Sequence, residues 1–408
     1  MTAVPPSTPG TPADHRVRFV LEFARGLQTC GAAAHRLENA LETCTRHLGV
    51  EAQFFATPTS VFCAFGPLGA QNVHLLRIDA GGVDLRRLTE LYEVWGLVLA
   101  DRLGARDAAA RVRGILAPTA PPPRLVWLLC HTGASATAAC FLAGGAVEIG
   151  LAAALGTAVG LGLSLRPRLD RVVEPLLAFA CALVVTLVAR HVPLLRESTI
   201  IAGLIALVPG FTLTIAMAEL AHGHLAAGTA RLMGAAITFL LLTVGVAVGV
   251  QVGTELMPGR QMPATAEPPP WPLLLASVVV AALCFTVLFR ARACDAKFVV
   301  LSCAVAVVGA EAGVAWLGPE LGMFLGAFAV GGLGNYLART RGTPSAVTAA
   351  PGLMVLVPGS LGLRSLASLV ESDTLVGLRS AFGVLLVACS LVTGLLVANF
   401  VVRTGRDV

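Results

Sequence analysis

The tetrapeptide Leu-Val-Pro-Gly occurs twice, at 207–210 and 356–359, each time inside a long apolar run. The two prolines lie 358 − 209 = 149 residues apart. The same shift relates the apolar run at 232–252 to the run at 381–401. Such a duplication predicts a membrane protein built from two copies of one unit, each with a Pro-Gly break in a helix. This pattern is typical of secondary transporters.

The composition also favours a membrane protein with several spans, because 56% of the 408 residues are hydrophobic and only 13% are charged. Residues 1–123 hold 23 of the charged side chains, and the remaining 285 residues hold 30, mostly between apolar runs. The net charge of +5 does not indicate a nucleic-acid partner, since the basic residues lie at the edges of apolar runs. The first 15 residues lack an apolar core, so no cleavable signal peptide is predicted.

The sequence predicts a polytopic α-helical membrane protein with ten transmembrane helices in two inverted five-helix repeats, preceded by a small α+β cytoplasmic domain. A span needs about 20 apolar residues. Ten segments qualify: 124–146, 148–165, 172–190, 198–220, 230–252, 272–290, 297–317, 319–338, 345–369 and 376–402. The predicted divisions are a disordered tail at 1–15, the α+β domain at 16–117, a Pro-rich linker at 118–123, the first repeat at 124–252, an extracytoplasmic Pro-rich linker at 253–271, the second repeat at 272–402 and a cytoplasmic tail at 403–408.

The distribution of Lys and Arg predicts the orientation in the cytoplasmic membrane. With the N-terminal domain inside, twelve basic residues near the membrane lie on the inner side and five on the outer side, so both termini are expected in the cytoplasm. Because five is an odd number, two related five-helix halves must have opposite orientations. This predicts a pseudo-two-fold axis in the membrane plane, with the breaks in spans 4 and 9 meeting near it.

The N-terminal part has the pattern of a compact α+β module. Apolar residues at helical spacing predict one helix over 16–48, ended by Gly49. A second helix is predicted over 84–103, with Asp84 as its N-cap. Three strands are predicted at 51–56, 60–65 and 73–78.

The Pro-Gly breaks are candidate substrate sites, because freed carbonyls and half-helix ends near the bilayer midplane bind polar parts of transported molecules. A pair of purely structural kinks is the alternative. Hydroxyls after each break can bind substrate or bond back to helix carbonyls. The polar cluster of span 1 that begins at His131 can line a cavity or be a packed, hydrogen-bonded group. Arg364, after the second break, can pair with a carboxylate or extend to the interface. The candidate substrate-binding residues are Pro209, Gly210, Thr212, Thr214, Pro358, Gly359, Ser360, His131 and Arg364.

Three carboxylates are candidates for proton coupling, because ionisable groups in a membrane are costly and usually functional. Glu311, flanked by glycines, is expected to be buried in the middle of span 7, where its protonation near neutral pH is reachable. Glu219 lies at the inner end of span 4, and Glu148 lies in the short outer turn between spans 1 and 2. Each of the three can instead be an ordinary charge at a helix end or interface.

Several short motifs resemble the signatures of the threonine/serine exporter family. They are GAAAHRLE at 31–38, LG at 48–49, FATPTS at 55–60, VPGFTL at 208–213 and the Ala-Arg pair at 230–231. The layout of a hydrophilic N-terminal domain followed by five plus five spans is also similar to that family. Two mild departures are the Gly-Ala-Ala opening of the first motif and a leucine where valine is common before its glutamate.

The resemblance implies export of small amino acids such as threonine and serine, driven by the proton motive force. Protons, the amino acid and the bilayer are then the expected partners, no cofactor is expected, and a homo-oligomer is left open. Related proteins that carry the two parts on separate chains are associated with dicarboxylate export, so a succinate-like substrate is the alternative. The residues that carry the N-terminal signature are Arg36, Glu38, Thr57, Pro58 and Thr59; the two charged ones can contact the membrane part or be ordinary surface charges.

Other classes of function have weaker support. No GxSxG, HExxH or paired catalytic aspartates appear, so an enzyme is not predicted. His222 and His224 lie close to Glu219 but lack a further strong metal ligand nearby, and the ten cysteines show no CxxC spacing. A channel, or a membrane sensor whose soluble domain receives a signal, stays an alternative because paired helix breaks also occur in channels.

Overall fold

The computed structural model describes residues 12–78, 82–164, 172–259, 262, 264–266, 269–341, 344–356 and 374–402. In this part of the chain the structure is mostly helical, with one small sheet near the N-terminus. The predicted Pro358-Gly359 break, with Ser360 and Arg364, lies outside the described residues.

The N-terminal domain packs four helices around a three-stranded antiparallel sheet of order β1-β2-β3. The strands lie at the three predicted places, and Asp84 caps α3 by accepting a hydrogen bond from the Arg87 N–H at 3.0 Å. The elements are α1 Pro12–Thr29, α2 Ala34–Leu48, β1 Ala52–Thr57, β2 Ser60–Phe65, β3 Asn72–Arg77, α3 Leu85–Leu99 and α4 Ala105–Leu116.

The prediction of one continuous helix over 16–48 is wrong, because a turn at residues 30–33 separates α1 from α2. Gly31 adopts φ +78°, a left-handed conformation that ends the first helix and that glycine adopts without steric cost. The apolar spacing continues across the turn since both helices bury one face in the same core. Phe23 of α1 and Leu41 of α2 are both fully buried there.

The apolar part is a bundle of helices. These are α5 Arg124–Phe141, α6 Ala146–Leu163, α7 Val173–Val188, α8 Arg196–Gly203, α9 Gly210–Ala221, α10 Leu225–Leu256, α11 Trp271–Leu288, α12 Ala296–Leu317, α13 Pro319–Arg341, α14 Ser345–Leu356 and α15 Thr374–Val401, with a short 3₁₀ turn at Ala293–Asp295 before α12.

Six of the described helices are long and apolar enough to cross a membrane. They cover Ala146–Leu163, Leu225–Leu256, Trp271–Leu288, Ala293–Leu317, Pro319–Arg341 and Phe382–Val401. The apolar helices α7, α9 and α14 are shorter. A 12-residue helix is about 18 Å long, so α9 does not by itself cross a hydrocarbon core of about 30 Å.

The packing of the helices repeats along the chain. The contacting pairs α5–α6, α6–α8 and α7–α10 of the first half have counterparts in α11–α12, α12–α14 and α13–α15 of the second half. In each case the counterpart lies in the segment reached by the 149-residue shift. The internal repeat seen in the sequence is therefore also a repeat of helix contacts.

One glycine contact shows the repeat at the level of single atoms. A Cβ placed on Gly245 of α10 would meet the Pro175 carbonyl oxygen and the Ala178 methyl group of α7. A Cβ placed on Gly394 of α15 would meet the Phe324 carbonyl oxygen and the Ala327 methyl group of α13. All three positions differ by 149 residues between the halves. Both glycines are needed because the helix backbones approach closely, as small residues allow in membrane bundles.

Candidate functional site at the helix break and the domain interface

The helix of the fourth predicted span is broken before Gly210. The helix α8 ends at Gly203, residues 204–209 are not helical, and α9 starts at Gly210 after Pro209. Proline lacks a backbone N–H and cannot continue the hydrogen-bond ladder. The segment between the two helices lies in the core, since Leu204 is fully buried and Leu207 is 8% exposed. Unwound backbone is therefore held inside the membrane part.

The threonines after this break differ in their surroundings. Thr214 is buried and donates its hydroxyl hydrogen bond to the Gly210 carbonyl at 3.2 Å, within its own helix. Thr212 is half-buried. The Thr214 hydroxyl is therefore used within its own helix.

His131 packs between helices instead of lining an open cavity. It is buried, its Nδ1 is 2.9 Å from the Trp127 carbonyl oxygen, and its ring lies 4.3 Å from that of Trp127. Gly160 of α6 packs closely against the same side chain. Among the alternatives, this arrangement matches a packed, hydrogen-bonded histidine.

Glu311 lies exposed on the surface of the helix bundle, so other helices do not bury it. Its neighbours Gly309 and Gly313 face α13, where they meet Gly326 and Gly322. In a helix of 3.6 residues per turn, a residue between two such positions points away from the partner. Glu311 also lies six residues before the end of α12, about 9 Å along the axis, and not at the middle of the span.

Glu148 holds the beginning of the broken span. Its carboxylate is buried at the start of α6, and its Oε1 accepts a hydrogen bond from the Leu195 N–H at 2.9 Å. Leu195 is the N-cap residue of α8, which has no side-chain cap of its own. A carboxylate at this position satisfies an orphan N–H and complements the positive end of the helix dipole.

Glu219 holds the other end of the broken span. It is fully buried near the end of α9, and its Oε1 accepts hydrogen bonds from the Ala34 N–H at 2.9 Å and from Arg231 Nε at 3.1 Å. Ala34 is the first residue of α2 in the N-terminal domain, and α2 lacks a side-chain cap from its own N-cap residue. One carboxylate therefore joins α9, α10 and the N-terminal domain.

Three histidines and a second carboxylate surround this junction. The His35 ring stacks on the His222 ring at 4.1 Å and lies 6.1 Å from the His224 ring. Burial, followed by the positive charge of Arg36, lowers the pKa of His35 to about 2, so the imidazole is neutral at physiological pH. Glu38 accepts a hydrogen bond from the Ala56 N–H at 2.7 Å, and burial raises its pKa.

The signature residues of the N-terminal domain have structural contacts. The Arg36 Nη1 donates to Ser345 Oγ at 3.3 Å, so Arg36 contacts α14. The turn between β1 and β2 contains Thr57, Pro58 and Thr59; Gln28 Nε2 donates to the carbonyls of the first two at 2.8 Å. These residues shape and dock the domain.

A second set of contacts joins the domain to the end of α11. The Leu85 N–H donates to the Phe289 carbonyl at 2.9 Å, and Arg292 forms an ion pair of 2.7 Å with Glu93. Phe289 also contacts the ring of Phe211 at 5.9 Å, one residue after the start of α9. The domain is thus connected to both ends of α9.

No residue pattern indicated the main partners of Glu219. Ala34 is 185 residues away, and Arg231 is 12 residues away across a turn between helices. Neither spacing corresponds to a helix or strand period. A backbone N–H as a partner has no side-chain signature at all. Within the described residues, no group of three or more His, Cys, Asp and Glu side chains could hold a metal ion.

Comparison with known proteins identifies the family. A family model described as "Putative threonine/serine exporter" matches residues 18–253. The chain belongs to the threonine/serine exporter family. A second model, described as "Threonine/Serine exporter, ThrE", matches residues 274–401, so the resemblance seen in the motifs is confirmed over most of the chain.

Two curated relatives are fungal proteins whose names describe them as membrane proteins. The pheromone-regulated membrane protein 10 of Candida albicans is 26% identical over 375 residues, which cover 87% of this chain and 33% of the relative. The protein of that name from Saccharomyces cerevisiae is 26% identical over 380 residues, which cover 88% of this chain and 49% of the relative. The chain spans a third to a half of the length of these relatives. No solved structure matches it.

Proposed function

We propose that the chain is a secondary active exporter that carries threonine and serine across the cytoplasmic membrane, driven by the proton motive force. The observation that carries the proposal is the buried helix break before Gly210, within a unit whose sequence and helix contacts recur after 149 residues. Buried, unwound backbone at the junction of two repeats is the usual substrate site of secondary transporters. Membership of an exporter family supports the same function.

The proposed architecture has ten spans in two inverted halves, with both termini in the cytoplasm. The described helices cover each of the ten predicted segments at least in part, and the fourth is divided into α8 and α9. Opposite orientation of the halves is supported by the odd number of segments in each. The docking of the charged N-terminal domain on helix ends rich in arginine supports its cytoplasmic position.

In the proposed mechanism, α8 and α9 bind the substrate where they meet and move relative to each other. Carbonyls freed at 204–209 and the positive N-terminal end of α9 can bind the ammonium and carboxylate groups of an amino acid. Thr212, half-buried after the break, is positioned on the same helix. Helix α9 contacts α14, which leads to the second Pro-Gly pair, so the two halves can close on one substrate.

Proton coupling is proposed to act on the two ends of the broken span. Glu148 binds the start of α8, and Glu219 binds the N-terminal domain from the end of α9. A charged acceptor makes stronger hydrogen bonds than a neutral one. Protonation of either carboxylate would therefore loosen one end of the span while the other end stays held. Glu311 is the third candidate, although its exposure gives it less support.

The test is efflux from proteoliposomes preloaded with labelled threonine, serine or succinate, with and without an imposed pH gradient. We expect efflux of threonine or serine that the gradient stimulates. Glu148→Gln, Glu219→Gln and Glu311→Gln are compared with the control Glu255→Gln, whose exposed side chain bonds only to Gln251 among the contacts described. Loss of gradient stimulation identifies the coupling carboxylate.

Other outcomes would change the function. Efflux of succinate alone would place the protein with dicarboxylate exporters. Absence of flux for all three compounds would refute the proposal and favour a channel for another solute or a membrane sensor.

A further inference from the structure

A polar cavity of about 410 Å³ lies between α2 of the N-terminal domain and the ends of the membrane helices. Every residue that lines it has a polar or charged side chain. Its volume falls within the range of about 300–1,000 Å³ that is usual for small-molecule sites. The cavity is separate from the break at Pro209, which does not line it.

Arg36 is the main charged group inside this cavity. Its side chain is half-buried, and its Nη1 donates to Ser345 Oγ at 3.3 Å. Within the described part of the chain, no carboxylate lies within 4.0 Å of its guanidinium group. A guanidinium is always charged and has five N–H donors arranged to match a carboxylate. Arg36 therefore has unused capacity to bind an anion.

The surroundings of Arg36 also favour a negative ligand. Helix α14 begins at the cavity, and its N-terminus contributes a partial positive charge. The N-terminus of α2 also lies there, but its Ala34 N–H is already bonded to the Glu219 carboxylate. Arg46 adds a second full charge, whereas Glu42 is the one acidic residue among those that line the cavity. His35, which is neutral, presents a buried Nδ1 that has no hydrogen-bond partner among the described residues.

The two arginines of the cavity differ in their contacts. Arg46 follows Arg36 by ten residues in α2, which is about 15 Å along the helix axis. Arg36 is the one that contacts the membrane part, through Ser345. Asn39, three residues after Arg36 in α2, also lines the cavity and offers a neutral amide. Asn335 lines it from α13, with its Nδ2 donating to Asn399 Oδ1 and to the Val402 carbonyl. This pattern suits a ligand with one carboxylate and further small polar groups.

We propose that this cavity binds the carboxylate of a small amino acid through Arg36, on the cytoplasmic side, before the amino acid reaches the helix break. The proposal rests on the proposed export function for the identity of the amino acid. Arg46, which lines the cavity farther along α2, attracts the ligand toward it.

The test uses the full-length protein purified in detergent, with labelled threonine as the probe. Equilibrium binding is measured for wild type, Arg36→Gln, Arg36→Lys and Arg25→Gln, the last being an exposed arginine on α1 as a matched control. We expect Arg36→Gln to weaken binding about tenfold or more, because it removes a charge-assisted pair of hydrogen bonds. Arg36→Lys keeps the charge and loses less affinity. Unlabelled threoninol, which lacks the carboxylate, should not compete.

A second variant, which keeps Arg36, tests the cavity independently in case Arg36→Gln misfolds. Asn39→Trp places a large side chain at an exposed position of the cavity wall and leaves the docking contacts intact; it should also weaken binding. The same variants are assayed for efflux, where the concentration for half-maximal rate should rise with little change in the limiting rate.

The outcomes separate the two proposals. Equal affinity for wild type and Arg36→Gln, effective competition by threoninol, or no threonine binding to wild type would overturn the cavity assignment, whatever the flux. Binding that depends on Arg36 in a protein without threonine or serine flux would keep the cavity and refute the export function.

Discussion

Replacing Glu219 by alanine removes the carboxylate that joins α9, α10 and the N-terminal domain. The side chain is fully buried and accepts hydrogen bonds from the Ala34 N–H and from Arg231. The variant leaves the Arg231 guanidinium, whose side chain is only 13% exposed, without its partner. It also leaves the first turn of α2 without an acceptor for its N–H group.

The expected cost follows from these contacts. Removing one partner of a buried ion pair costs about 3–5 kcal/mol, because the other charge stays buried and unpaired. Since Arg231 is partly accessible, we expect about 3 kcal/mol. This free energy opposes docking of α2, and it corresponds to a change of about a hundredfold in the docking equilibrium.

Hydrogen exchange of the full-length protein measures this effect directly. The amides at the start of α2, from Ala34 to Leu37, should exchange about a hundredfold faster in Glu219→Ala, while amides of α6 should not change. The control Glu255→Ala removes an exposed carboxylate and should leave all amides as in wild type. The double variant Glu219→Ala/Arg231→Leu should recover part of the protection, because no unpaired charge is left.

Two results would refute this reasoning. One is wild-type protection of the α2 amides in Glu219→Ala, which would mean that the carboxylate does not hold the domain. The other is simple additivity of the two substitutions. If the loss of α2 protection in the double variant equals the sum of the losses in Glu219→Ala and Arg231→Leu, the two side chains act independently.

Three further predictions concern pH, helix packing and capping. The folded pKa of His35 lies near 2 and its ordinary value is 6.5, so the unfolded state takes up a proton first as pH falls. The free energy of unfolding should therefore be lower by about 1.4 kcal/mol at pH 5.5 than above pH 6.5. Unfolding measurements at both pH values should show this difference in wild type and not in His35→Gln. Gly394→Leu should lower the free energy of unfolding by about 2–3 kcal/mol in thermal unfolding. The control Gly383→Leu lies in the same helix, with no atom within 4 Å of its Cβ position, and should change it by less than about 1 kcal/mol. Glu148→Ala should cost about 1–2 kcal/mol and speed exchange of the Leu195 amide about tenfold, because an N-terminal helix cap is lost.

These three predictions fail on distinct results. A pH slope that is the same in wild type and His35→Gln would show that His35 is not the group that titrates; Glu38 cannot produce such a slope, since burial raises its pKa and gives the opposite sign. Equal stability of the two glycine variants would contradict the close approach of α13 and α15. An unchanged Leu195 amide would contradict the cap.

The sequence predicted those features that depend on local or periodic patterns. The 149-residue repeat led to matched helix contacts, including those of Gly245 and Gly394. Proline and glycine at 209–210 indicated a break because both affect the backbone directly. The Asp84 cap was predictable from a side chain next to a helical run.

Features that depend on the direction of a helix face were not predictable. The sequence shows that glycines flank Glu311, but it does not show which side of the helix packs against a neighbour. Only the position of α13 shows that the glycines face it and the carboxylate does not. The turn at Gly31 was hidden because two helices share one core and keep a common apolar spacing. The role of Glu219 depends on a backbone N–H in another domain, which no residue pattern records.

Trans-stimulated efflux is the measurement that tests the central claim most directly, since it separates a carrier that alternates between two states from a pore. Proteoliposomes are loaded with labelled threonine, and efflux is followed with and without unlabelled threonine outside. A carrier that works around the helix break should release label faster when external threonine is present, and the rate should saturate with internal concentration. Efflux that neither saturates nor responds to external threonine would contradict alternating access and indicate a channel.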